Sequence, residues 1–236
     1  MTIKANLLSP HSMPDRIKAL PRDHRGYPLP WFIHQTPTAH DFRIVGAGKL
    51  EQALKLNLCW VCGHSLGRNK SFVIGPMCSI NRVSAEPPSH YSCAVYAAKV
   101  CPFLSKPRMR RNEKGLPDEV VSPAGTMLLH NPGVTCIWLT RDFRLMPVDN
   151  GVLLRIGEPL EVRWLCQGRE ATRGEVVSAI DKGLRILLDE AREEGQDAVN
   201  ALLQSLDRVR QYLPAPDGKR FESPDRPALA AAGAQH

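Results

Sequence analysis

The chain has 236 residues, 43% hydrophobic and 23% charged, with 31 Lys plus Arg against 24 Asp plus Glu and a formal charge of +7. That composition excludes a low-complexity or disordered chain, and the sequence has neither an apolar run long enough to span a membrane nor one fit for the core of a signal peptide. It predicts a cytoplasmic protein without membrane contact whose basic excess favours acidic partners such as nucleic acid.

Residues 1–25 mix Pro, His, Arg and Lys without apolar periodicity and are expected to form a flexible arm. In R-G-Y-P-L-P-W-F-I, 25–33, two prolines flank Leu29, which suits an extended edge segment or a wall of a groove, with Trp31 and Phe32 expected in the core. Leu50, Ala53, Leu54 and Leu58 recur at helical intervals and predict a short helix over 47–57. The run S-F-V-I-G-P-M, 71–77, reads as a strand stopped by Gly75 and Pro76. Ser89 is placed to cap a helix over 90–100 that ends before Pro102, with one apolar stripe and one charged face.

Further on, 125–130, 134–140, 151–156 and 160–166 read as strands separated by turn residues. In the last of them Leu160, Val162, Trp164 and Cys166 alternate with Glu161 and Arg163, which predicts an antiparallel sheet with one covered face. The cover follows: a capping box from Thr172 to Glu175 opens a helix with Val176, Ile180, Leu184, Leu187 and Ala191 on one side, and Gly195 breaks it. A second amphipathic helix carries Val199, Leu202, Leu203, Leu206, Val209 and Leu213. Residues 214–236, rich in Pro, Asp, Arg and Ala, are expected to form a disordered tail. The resulting fold class is α+β: a zinc-knuckle domain with a basic loop over 26–115, then a small antiparallel sheet covered by two helices over 116–213.

Seven cysteines are an odd number in a chain too large to need disulfide staples, so they read as thiols or metal ligands. Cys59 and Cys62, in C-W-V-C-G-H, have the spacing with which a tight turn presents two thiolates to one point, and Gly63 suits the turn's positive φ. His90 and Cys93 stand three residues apart, on one side of the predicted helix. Together they form a Cys₃His set for zinc. A set using Cys59, Cys62, Cys93 and Cys101 for zinc or an iron–sulfur cluster stays open, with Cys78 also near in sequence.

This stretch, about 59–101, resembles treble-clef zinc fingers, in which a cysteine knuckle is followed by a hairpin and the second ligand pair comes from the first turn of a helix. The resemblance implies a fold fragment held by zinc and no activity. The whole chain also resembles a family of proteins from bacterial and phage genomes, which implies a phage or prophage setting.

From the last turn of the predicted helix onward lie Lys99, Lys106, Arg108, Arg110, Arg111 and Lys114 against a single acid, Glu113. Of these, Lys106, Arg108, Arg110, Arg111 and Lys114 are the expected contacts to nucleic acid. The expected partner is nucleic acid or a nucleic-acid-processing protein, bound without catalysis. Two alternatives stand beside this: a metal-dependent nuclease or hydrolase with Asn81, Arg82, Glu86 and His90 around a pocket, and a phage-type inhibitor or adaptor using the C-terminal helices. No Gly-rich phosphate loop, nucleophile elbow, deaminase H-x-E or H-E-x-x-H motif occurs in the sequence.

Overall fold

The computed structural model describes residues 13–36, 39–106, 108–116, 124–125, 131–216 and 220–224. The expected strand at 125–130 therefore lies almost wholly outside the described residues. The architecture is α+β, with antiparallel pairing throughout the named strands.

The first described residues enter through a helical turn, α1 (Asp15–Lys18), and a two-stranded hairpin, β1 (Ile33–Gln35) and β2 (His40–Val45). The predicted short helix is α2 (Lys49–Lys55), with Ala53 buried. Next come β3 (Lys70–Ile74) and α3 (Pro76–Asn81). Pro76 does more than stop a strand: its fixed φ and missing N–H suit the first position of a helix, so Met77 turns into α3. Two-residue β4 (Val83–Ser84) follows, then α4 (Tyr91–Val100) and α5 (Pro102–Ser105).

The second half holds β5 (Thr135–Thr140), β6 (Phe143–Val148), β7 (Gly151–Ile156), β8 (Pro159–Cys166) and β9 (Arg169–Glu170). It continues with α6 (Arg173–Glu194), α7 (Gln196–Arg210) and a late strand, β10 (Phe221–Glu222). The main sheet runs β10-β8-β5-β3 with β9 on β8, and a smaller sheet runs β4-β7-β6. The predicted single sheet is thus two. β6 escapes the sequence pattern because Arg144 and Pro147 interrupt it, which an edge strand tolerates.

Both faces of the main sheet are covered, not one. On one face Trp138, Val162, Trp164 and Cys166 meet Val176, Ile180, Leu187, Leu206 and Val209 of α6 and α7. On the other, Ile137 and Leu165 meet Ala94 and Ala98 of α4. Hence Glu161, expected on an open face, is fully buried; it accepts from the Tyr91 hydroxyl at 2.5 Å and pairs with Arg220 at 2.8 Å. That need for partners explains why residues 220–224 leave the expected disordered tail: Phe221 aligns with Val162, and Phe221 rests on Tyr212.

The boundary at 115–116 divides the chain but not the sheet. β3, from the knuckle segment, pairs along its length with β5. The helical cover follows the sequence closely: Thr172 and Glu175 form the reciprocal capping box, and Gly195 ends α6. Leu203 departs from it, standing 43% exposed at the margin of the apolar stripe. Gly183 admits close packing of α6 on α3, since a Cβ there would lie 2.7 Å from Met77 Cγ.

Candidate metal centre and cationic surface

Leu58 and Ser65 pair across the knuckle, and within it the Cys59 amide donates to the His64 carbonyl at 2.8 Å and the Gly63 amide to the Cys59 carbonyl at 2.8 Å. Gly63 holds φ at +75°, and a Cβ there would collide with the Trp31 ring at 2.4 Å. Glycine is required twice over, for its dihedral and for its missing side chain. Trp31 and Phe32, expected in the core, are instead half-buried walls: Phe32 stacks on Trp60 of the knuckle at 4.7 Å, and the Trp31 amide donates to the Val61 carbonyl.

The second ligand pair is placed by the start of α4. His90, rather than Ser89, occupies the N-cap, and its carbonyl accepts from the Ala94 amide. Ser89 is held elsewhere, exchanging both backbone hydrogen bonds with Ser71 of β3 at 2.8 and 2.9 Å. A rung of sheet pairing thus fixes the residue just before His90. Cys93 lies on the buried side of α4, which has two apolar stripes: Ala94 and Ala98 face the sheet, while Cys93, Tyr96 and Val100 face the knuckle.

The resemblance implies a hairpin between the ligand pairs. Here β3 pairs with β5 and β4 with β7, so the intervening chain is spent on two sheets instead of closing on itself.

The ligand atoms of Cys59, Cys62, His90 and Cys93 all lie within 4.8 Å of one another, close enough to hold a metal ion. His90 Nδ1 is 3.4 Å from Cys62 Sγ and 4.0 Å from Cys93 Sγ. A tetrahedral zinc ion sets sulfur and nitrogen ligands about 3.5 Å apart, so the spacing fits. The other ring nitrogen, Nε2, is 3.0 Å from the Ser65 carbonyl, a contact that places its proton there and leaves Nδ1 free to ligate. The amides of Cys62 and His90 both point at Cys59 Sγ, at 3.4 Å each.

Hydrogen bonds from the Cys62 and Cys93 thiols drive Cys59 far down, while the Cys59 and Cys62 sulfurs drive Cys93 far up, since a further thiolate beside them would be repelled. Contact with Cys59 and Cys62 lifts His90 to about 10. Three thiolates can share this volume once a divalent ion sits among them.

Cys101 and Cys78 do not join the group. Burial raises the thiol of Cys101, and that of Cys78 to about 11, as expected of neutral packing groups. Cys136 and Cys166 are buried in the main core, as their strand positions predict.

The sequence pattern missed the cover of the site. Met13 and Ile17, from the segment expected to be a flexible arm, are 4% and 1% exposed and pack with Tyr27, Val61 and Leu66 around Cys59, Cys62 and Cys93. Asp23 organises this cover, accepting from the amides of Arg25 and Tyr27 and from the Arg25 guanidinium. Only the apolar residues at 13, 17 and 20, at helical spacing, hinted at it.

The expected nucleic-acid contacts separate into two kinds. Lys106, Arg108, Arg110 and Lys114 are exposed. Arg111 is half-buried and donates to the Arg43 carbonyl at 2.6 Å, while Arg43 donates to the carbonyls of Asn112 and Lys114 at 2.8 and 2.9 Å. The basic segment is therefore strapped onto β2. Of the residues set around the alternative pocket, Asn81 accepts from the Val83 amide, Arg82 pairs with Glu158, and Glu86 is exposed outside the ligand group.

Among the described residues no helix is long and apolar enough to cross a membrane. Comparison with protein-family models, curated proteins and solved structures returns no match for this chain.

Proposed function

We propose that Cys59, Cys62, His90 and Cys93 hold a structural zinc ion, and that the protein uses the adjoining cationic segment to bind nucleic acid without catalysis of its own. The zinc reading is carried by the Nε2 contact to Ser65: an imidazole tethered at one nitrogen and aimed by the other into three sulfurs is a ligand, not a proton shuttle. Four protein donors also complete a tetrahedron, which leaves no position for an activated water. The ion's contribution is to neutralise the thiolates and join the knuckle to α4.

The binding reading is supported by the Arg43 strap, which anchors the backbone at 112 and 114 while Lys106, Arg108, Arg110 and Lys114 face solvent. Cations on a fixed backbone lose less entropy on engaging phosphates than cations on a loose loop.

Elemental analysis of purified protein should give one zinc per chain, and none in the Cys59→Ser, Cys93→Ser double variant. For the interface, Arg108→Ala with Arg110→Ala should lower the slope of log affinity against log salt by about 2 on duplex DNA, or somewhat less on a single strand. An unchanged slope on both would dismiss the segment as the interface.

A further inference from the structure

We infer that the cleft between the two sheets is a binding site for a phosphorylated anion, separate from the metal centre and from the segment at 106–114. A cavity of about 540 Å³ opens there, lined by Arg82, Arg141, Arg144 and Arg155 against two carboxylates, Asp142 and Glu158. That volume is in the range of small-molecule sites. A second, smaller cavity shares Arg82, Arg155 and Glu158 and extends the cleft to Arg208 on α7.

Three features mark the arginines as placed for a ligand. First, Arg144 and Arg155 are direct cross-strand partners in the β6–β7 hairpin. Like charges at such a position destabilise a sheet, and an anion held between them reverses the sign of that contribution. Second, Arg82 adopts the left-handed conformation, φ +55° and ψ +40°, at the end of six-residue α3. Glycine or asparagine would take that backbone at lower cost, yet a long cationic side chain stands there and lines the cavity. Third, the guanidinium groups are held by neighbours: Arg155 donates to the Asn81 carbonyl at 2.7 Å, and Arg82 pairs with Glu158, whose other oxygen lies 3.4 Å from the Tyr212 hydroxyl. Planar guanidinium groups held in this way match the paired oxygens of a phosphoryl group.

Two sources share this chemistry, a free phosphorylated small molecule and the phosphodiester backbone of a nucleic acid. The probes are inorganic pyrophosphate, ATP and a short oligothymidylate, titrated by calorimetry into wild type, Arg144→Glu, and the Arg108→Ala, Arg110→Ala pair. Arg144→Glu replaces a repulsive cross-strand pair by an attractive one, so its melting temperature should equal or exceed that of wild type. Its affinity for the bound probe should nonetheless fall about tenfold or more, the loss of one charge-assisted contact. Binding of pyrophosphate or ATP that falls in this way assigns the cleft to a free phosphate compound. Binding of the oligonucleotide alone, weakened by Arg144→Glu and untouched by the 108 and 110 substitutions, assigns it to a phosphodiester chain. If no probe binds wild type, or if Arg144→Glu binds as well as wild type, the cleft is not an anion site. Oligonucleotide binding lost only with Arg108 and Arg110 overturns the cleft in the same way and leaves the proposed function standing.

Discussion

The two cores of this protein are built on different principles. Around the main sheet, Trp138, Phe72, Leu154, Ile156, Val162, Trp164, Val176 and Ile180 bury large apolar side chains on helices and strands whose own backbones are hydrogen-bonded. Around the knuckle, the buried set is three cysteines, two tyrosines and a few aliphatic residues with Met13, drawn largely from turns and otherwise from one side of α4 and from Ile17 of a four-residue helix. Apolar burial suffices for the first, while the second gathers sulfur where more hydrocarbon would otherwise be needed. With the proposed ion in place, the stability of such a core would be set by the metal as well as by the chain.

The largest expected effect breaks the comparison at its weaker side. Removing metal with a chelator should abolish hydrogen-exchange protection across 57–66 and 89–93 while β5, β8 and α6 stay protected, because structural zinc in small modules supplies about 10 kcal/mol or more of apparent binding energy. Equal loss in both regions would mean that the two cores fold as one cooperative unit, and no loss would mean that the knuckle stands without its ion.

A smaller effect probes the stronger side. Leu187→Ala, on the buried face of α6, should cost about 3 kcal/mol through lost transfer energy and a residual cavity. Zinc content should remain at one per chain, read by elemental analysis beside the denaturation curve.

The smallest effect sharpens the electrostatics of the helical cover. The hydrogen bond from Arg169 and the Thr172 amide hold Glu175 down at about 2, below the ordinary glutamate value. A depressed carboxylate stabilises the folded state above its unfolded pKa, and this contribution fades as pH falls from about 4.5 towards 2. Glu175→Ala should therefore lower stability at pH 7 by about 1 kcal/mol, and the difference from wild type should shrink on acidification through that window. A constant difference across it would place the effect in packing rather than in the cap.

The parts of this architecture that could be read in the sequence were those encoded over short distances. The candidate ligands Cys59, Cys62, His90 and Cys93 declare themselves by two spacings of three, and α6 by its capping box and apolar period. What escaped depends on partners far along the chain. Glu161 looks solvent-facing until Tyr91, 70 residues away, and Arg220 are brought to it. Met13 and Ile17 look like stray apolar residues until the knuckle supplies a surface for them. The arginine cleft was the least legible of all, since Arg82, Arg144 and Arg155 become neighbours only through the register of two strand pairs and one left-handed residue.

The Ser71–Ser89 rung has a further consequence. β3 closes one side of the main sheet, its sequence K-S-F-V-I is rich in β-forming residues, and residue 89 pairs with its outward side. Pairing at 89 guards that margin at Ser71. Were 89 and 90 to peel away, the outward side of β3 at Ser71 would be offered to a strand from another molecule, so the pairing next to His90 bears on self-association as well as on shape.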